Sequence, residues 1–172
     1  MRRSHWLVTT LSIFTALTFS GCKQEGPPGT AGTPSQNGSG IEVSVSAEPS
    51  DGGVLITAVA RNQGEGTFRY AATCGRADMM FQFFDESGHE ITVTNPCEPQ
   101  PMMGCPTALG IVLAPGQTAT GQHWFSGSLW NGCVGATAPA GNYKVTVTFP
   151  FYQDIEVGQD EVEGSGTFHW GP

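Results

Sequence analysis

From residue 41 onward, apolar and polar side chains alternate with a period of two. Ile41, Val43, Val45 and Ala47 interleave with Glu42, Ser44, Ser46 and Glu48. Near the other end, Tyr143, Val145, Val147, Phe149 and Phe151 interleave with Lys144, Thr146 and Thr148. A strand turns successive side chains to opposite faces, so this pattern predicts strands with one buried face. Further strands are predicted at 54–61, 67–73, 79–84, 89–94, 108–113, 117–126 and 162–170. Turn residues punctuate them at Pro49-Ser50-Asp51-Gly52-Gly53, Asp85-Glu86-Ser87-Gly88, Ala114-Pro115-Gly116 and Pro139-Ala140-Gly141. No helical run competes. The prediction is an all-β domain over residues 41–172, an antiparallel β-sandwich of about seven to nine strands.

The first 22 residues follow a different logic. Arg2 and Arg3 precede an apolar stretch from Trp6 to Phe19, which ends in Phe19-Ser20-Gly21-Cys22. That stretch is shorter than the roughly 20 residues that span a bilayer, and small residues follow it, as in a cleavable leader. The final four residues resemble a bacterial lipobox, with Phe19 in place of the usual Leu. Residues 1–21 are therefore expected to be a lipoprotein signal peptide, with Cys22 lipidated and the protein exported and anchored in the cell membrane or outer membrane. The next segment, KQEGPPGTAGTPSQNGSG, holds no Leu, Ile, Val or aromatic residue. Residues 22–40 accordingly read as the lipidated Cys and a disordered tether, spanning about 20–25 Å on average.

Charge and cysteine content narrow the function. The chain of 172 residues has 7 Lys and Arg against 15 Asp and Glu, a net charge of −8. Seven cations cannot build a basic patch, so nucleic acid is not an expected partner. Removal of the leader leaves five basic and fifteen acidic residues, a net of −10. Anionic head groups repel such a surface, which leaves attachment to the lipid. After Cys22 come Cys74, Cys97, Cys105 and Cys133, and an even count in an exported protein predicts two disulfides. No C-x-x-C occurs to favour zinc. Three pairings are open. A hairpin turning at Asp85–Gly88 would bring Cys74 and Cys97 together, favouring Cys74–Cys97 with Cys105–Cys133 over Cys97–Cys105 with Cys74–Cys133.

A set of motifs then fits a known family. Ala58-Val59-Ala60-Arg61-Asn62 and Met79 to Phe84 are followed by Asp85-Glu86-Ser87-Gly88-His89-Glu90-Ile91. Leu113-Ala114-Pro115-Gly116-Gln117, Trp124 and Pro139-Ala140-Gly141-Asn142-Tyr143-Lys144-Val145 complete the series. Over residues 54–150 the chain resembles the BsuPI-type proteinase-inhibitor domains. The resemblance implies an immunoglobulin-like sandwich and an inhibitor of serine proteases. The chain departs from that pattern in its four cysteines, its lipobox and the Pro-rich insertion at 95–106, and no inhibitory residue carries over.

The candidate recognition element is that insertion, NPCEPQPMMGCP, with four prolines and two cysteines. Braced loops bind at low entropic cost, and Pro101, Met102 and Met103 are the candidate contact residues. The plainer reading is a long connection that needs bracing. Copper is the next reading, from Met79, Met80, Met102 and Met103 with His123 and His169, but no cupredoxin-type Cys-His-Met ending occurs and Met79 fits as a core residue. If Trp124 and Trp170 face the core, both histidines face solvent on different sheets and share no site. Calcium is suggested by Asp154, Glu156, Asp160, Glu161 and Glu163, but the D-x-[DN]-x-[DN]-G loop is missing, so a solvated acidic connection fits better. His89-Glu90 has no second His of an H-E-x-x-H, and neither G-x-S-x-G nor a P-loop occurs. The expectation is a monomeric, non-catalytic binding domain without cofactor, its partner a serine protease or another envelope protein. The alternatives are a structural or adhesive module and a metal-handling lipoprotein.

Overall fold

Period-two patterning becomes thirteen strands and no helix among the described residues. The computed structural model describes residues 35–36, 38–98, 106–153 and 158–171. Residues 1–21, expected to be a signal peptide, Cys22, Cys105 and the loop residues Pro101, Met102 and Met103 lie outside them. In chain order the strands are β1 (Ser35–Gln36), β2 (Ile41–Ser50), β3 (Gly53–Asn62), β4 (Phe68–Thr73), β5 (Arg76–Ala77) and β6 (Met80–Phe84). There follow β7 (Glu90–Ile91), β8 (Thr107–Leu113), β9 (Thr118–Phe125), β10 (Ser128–Asn131), β11 (Val134–Thr137), β12 (Gly141–Phe151) and β13 (Asp160–Trp170).

Two four-stranded antiparallel sheets form the sandwich, ordered β1-β2-β3-β9 and β13-β12-β6-β7. A smaller sheet, β5-β4-β8, joins the end of β12 through Arg69 and Tyr152, which exchange backbone hydrogen bonds of 2.8 Å. A β10–β11 hairpin hangs from the β7 side, where Trp130 N–H donates to the Thr92 carbonyl at 2.8 Å. Pairing starts before residue 41, since Ser35 pairs with Val43 and Gln36 with Glu42.

The inward set is the one that alternation selects. Ile41, Val43, Val45 and Ala47 from β2 meet Tyr143, Val145, Val147, Phe149 and Phe151 from β12, all buried. Each large apolar side chain so enclosed contributes about 1.5–3 kcal/mol. Aromatic rings fill both ends of the core. Phe83, Phe125, Tyr143, Phe168 and Trp170 make one cluster, with Phe125 and Phe168 edge to face at 5.1 Å. Phe68, Tyr70, Phe149 and Phe151 make the other. The Tyr143 hydroxyl donates to the Pro139 carbonyl at 2.7 Å, a corner of the kind immunoglobulin-like sandwiches use at a strand start.

One residue organises the turns at the far end. Asn62 is fully buried, and its amide donates to the carbonyls of Gly66 at 2.7 Å and Leu113 at 3.0 Å. Its Oδ1 accepts from Gly64 N–H at 3.0 Å. Its backbone closes the Ala114–Gln117 turn through Gly116 and Gln117. The hydrogen bonds of this buried carboxamide offset the hydration it loses, and they fix two loops at once.

β9 runs in the opposite phase to the sequence expectation. Phe125 is fully buried, and His123 lies opposite Ile56 on the same inward face. Trp124 instead lies on the outer face, 42% exposed, against Gly53. The Phe125 ring packs between Phe83 and Tyr143, so the strand's inward face is one residue out of the expected phase. β13 keeps the expected phase, with Trp170 packed on Phe125 and His169 exposed.

Candidate functional site

The insertion is mounted at one end of the sandwich. β6 and β7 pair through the Asp85–Gly88 turn, Phe83 with Ile91 and Phe84 with Glu90. The chain after β7 therefore runs back toward the Met80 end of β6. There Asn95 shapes the start of the insertion, its Oδ1 accepting from Cys97 N–H at 3.0 Å. Cys97 is bonded to Cys133, with Cα atoms 5.4 Å apart. Cys133 sits in the two-residue loop that joins β10 to β11, where Gly132 takes the positive φ of 58° such a loop needs. On the return side, Thr107 pairs with Thr73, and their hydroxyls lie 3.1 Å apart. Glu98 and Pro106, which flank the segment 99–105, are thus both held at this end.

The disulfide corrects the expected pairing. Cys97 bonds to Cys133, so neither Cys74–Cys97 nor Cys97–Cys105 forms. The β6–β7 hairpin does form at the expected turn and leads the chain back along β6 on its way to Cys97. What decides the partner is the β10–β11 hairpin, which carries Cys133 to the same place. Its sequence, SLWNGCVGAT, is interrupted by glycines and shows no clean alternation. Cys74 is also disulfide-bonded. It occupies the turn between β4 and β5 at φ 54°, an uncommon backbone for a residue with a Cβ.

Beside Cys74 a cavity of about 450 Å³ opens between the sheets. Arg76, Asp78, Met79, Phe81, Gln122 and His123 line it. His123 projects from β9 against two rings, its centroid 5.5 Å from Phe81 and 5.0 Å from Phe83. Burial pushes its pKa below the usual histidine value, because the charged imidazolium loses hydration there. Asp78 accepts from the Thr73 hydroxyl at 3.3 Å, and Gln122 donates to Thr57 at 3.3 Å. His123 was expected on the solvent face, and the signal that places it inside is its parity with Phe125.

The remaining candidates are dispersed. His169 is exposed and 3.2 Å from Asn142 Oδ1, while His89 lies 3.5 Å from Asp85 in the hairpin turn. The backbone N–H of His89, donating at 2.9 Å, is the main cause that holds the Asp85 carboxyl below its usual range. Of the acidic stretch, Asp154 and Glu156 lie outside the described residues. Asp160, Glu161 and Glu163 belong to β13, longer at its start than expected, and are exposed. Among the described residues, no three His, Cys, Asp or Glu side chains gather as a metal-binding group.

Exposed apolar side chains collect elsewhere. Leu109 is 80% exposed and Val112 44% exposed on β8, which among the described residues pairs only with β4. Compared with models of known protein families and with curated proteins, the chain finds no match.

Proposed function

We propose that this is a non-catalytic binding protein of the bacterial cell envelope, lipid-anchored at Cys22, that presents the loop 95–106 to a serine protease. The observation that carries the reading is the bond between Cys97 and Cys133 at the base of that loop. A binding loop gains affinity when its ends are fixed before the partner arrives, because less conformational entropy is lost on association. Here the outgoing arm is tied to a hairpin tip and the returning arm is held in β8 by Thr73. The resemblance to BsuPI-type domains supports the same class of partner. In this reading Met102 or Met103 enters the specificity pocket, with Pro101 stiffening the approach.

The test uses residues 23–172 exported to the periplasm and titrated against subtilisin-like and trypsin-like proteases. Residual activity is expected to fall to a stoichiometric endpoint near one to one. Replacing Met102 and Met103 by Gly removes the anchor, and a binding hot spot of at least about 2 kcal/mol predicts roughly 30-fold weaker inhibition. A panel with no inhibition overturns the inhibitor reading.

A second reading has its own support. The β8 sequence TALGIVL contains neither charge nor proline, the usual guards of a free edge. Such an edge can accept an added strand, so a structural or adhesive module would act through β-augmentation there. Substituting Leu109 by Lys should abolish envelope pull-down of a partner under this reading and leave protease inhibition unchanged.

A further inference from the structure

The cavity beside Cys74 holds a pair of donors that the binding-loop reading does not use. Gly121 and His123 share the inward face of β9, two residues and therefore about 6.6 Å apart along the strand. Met79 lies directly over Gly121, where a Cβ would meet the Met79 Sδ at 2.8 Å. Glycine at 121 is thus what lets the thioether reach in, and the Met79 and His123 side chains line the same space.

The chemistry of the two groups is selective. His123 makes no hydrogen bond to a described residue, and it is not among buried groups left unsatisfied, so its polar edge opens on the cavity. Burial favours the neutral imidazole, which is the form that ligates metals. A thioether is a soft donor suited to Cu(I), and imidazole binds copper as well. The rings of Phe81 and Phe83 lie against the histidine at 5.5 and 5.0 Å and make that wall of the cavity apolar, while Arg76 adds a cation to the rim. Only one carboxylate, Asp78, lines the space, far from the six to eight oxygens that calcium takes.

We propose that Met79 and His123 form a binding site for a soft monovalent cation, Cu(I) or its analogue Ag(I), in the cavity between β6 and β9. The site stands apart from the loop 95–106 in its residues and in its chemistry, and it does not depend on protease binding.

The experiment uses the full chain, extracted in detergent with its disulfides oxidised and any free thiol blocked with N-ethylmaleimide. Ag(I) nitrate is the first probe, since it needs no reductant that would open the disulfides. Cu(I) competed against bicinchoninate is the second. Methionine methyl and histidine ring NMR signals report where the ion sits. One equivalent of Ag(I) should shift the Met79 methyl and the His123 ring signals together. Met79→Leu, a swap of similar volume, should weaken binding at least tenfold, and His123→Gln should do the same, while Met80→Leu leaves it unchanged. If His123→Gln fails to fold, Met79→Leu and the Met79 methyl shift decide alone. No binding at micromolar Ag(I), equal affinity in Met79→Leu, or shifts confined to Met80, Met102 and Met103 would each overturn the site.

Discussion

An imidazole packed against two phenylalanine rings loses part of its hydration shell, and that burial lowers the His123 pKa below the usual histidine value. The unfolded chain has no such restriction and takes up a proton near pH 6.5. Between that value and the lower folded one, the unfolded state binds a proton that the native state refuses. Stability is therefore complete above about pH 6.5 and falls as the pH drops through the folded value. The charged neighbours in the cavity are Arg76 and Asp78, one of each sign. Urea midpoints measured with chelator at pH 7.5 and 5.5 should decline toward acid in the native protein. His123→Gln, which cannot titrate, should flatten that decline, and an unchanged slope would place the titration elsewhere. The histidine's position was hidden in the sequence because His123-Trp124 and His169-Trp170 look alike. Each pair fits either phase, and the tie is broken by Phe125 on one strand and by Phe168 on the other. Hydrophobicity alone favours Trp124 as the core residue. In the structure it is Phe125 that packs against Phe83 and Tyr143.

At the scale of strands, β13 approaches β2 at the edge where the two main sheets meet. A Cβ on Gly164 would lie 2.6 Å from both the Val43 carbonyl oxygen and its Cγ1. On Gly166 the nearest atom, Val45 Cγ1, would be 3.2 Å away. The first clash involves backbone and cannot be relieved by a rotamer change, whereas the second asks for a small shift. Gly164→Ala should cost about 1–3 kcal/mol as an overpacked contact. Gly166→Ala should cost less, offset by the reduced freedom of its unfolded chain. Thermal melts of the two variants give the order, and a neutral Gly164→Ala would mean the seam is looser than its geometry. Most strands were legible because alternation and Gly- or Pro-bearing turns mark them, as in β2, β3, β9, β12 and β13. The strands left unread are short or lack alternation: β1 and β5 have two residues each, and β10 and β11 carry Gly132 and Gly135 around a tight loop. That unread hairpin is also why the disulfide partner of Cys97 was misjudged.

For the whole molecule, the charge distribution decides how it can meet a membrane. From Ile41 onward the cations are Arg61, Arg69, Arg76 and Lys144, against fourteen acidic residues. A juxtamembrane Lys or Arg is worth about 1 kcal/mol at an anionic surface, so a body this acidic is pushed away from it. No helix among the described residues is long and apolar enough to cross a bilayer. Under the lipoprotein proposal, acyl chains at Cys22 then supply all the holding energy, and two or more chains make that attachment stable. High salt screens charge and leaves acyl insertion intact, so a wash at about 1 M should not release the protein from membranes. Replacing residues 1–22 by a secretory leader cleaved before Lys23 should move the protein wholly to the soluble exported fraction and abolish palmitate labelling. Should that version still sediment with membranes and come off in salt, a protein partner would be holding it. The surface of the sandwich, rather than residues 22–40, would then be the region to map.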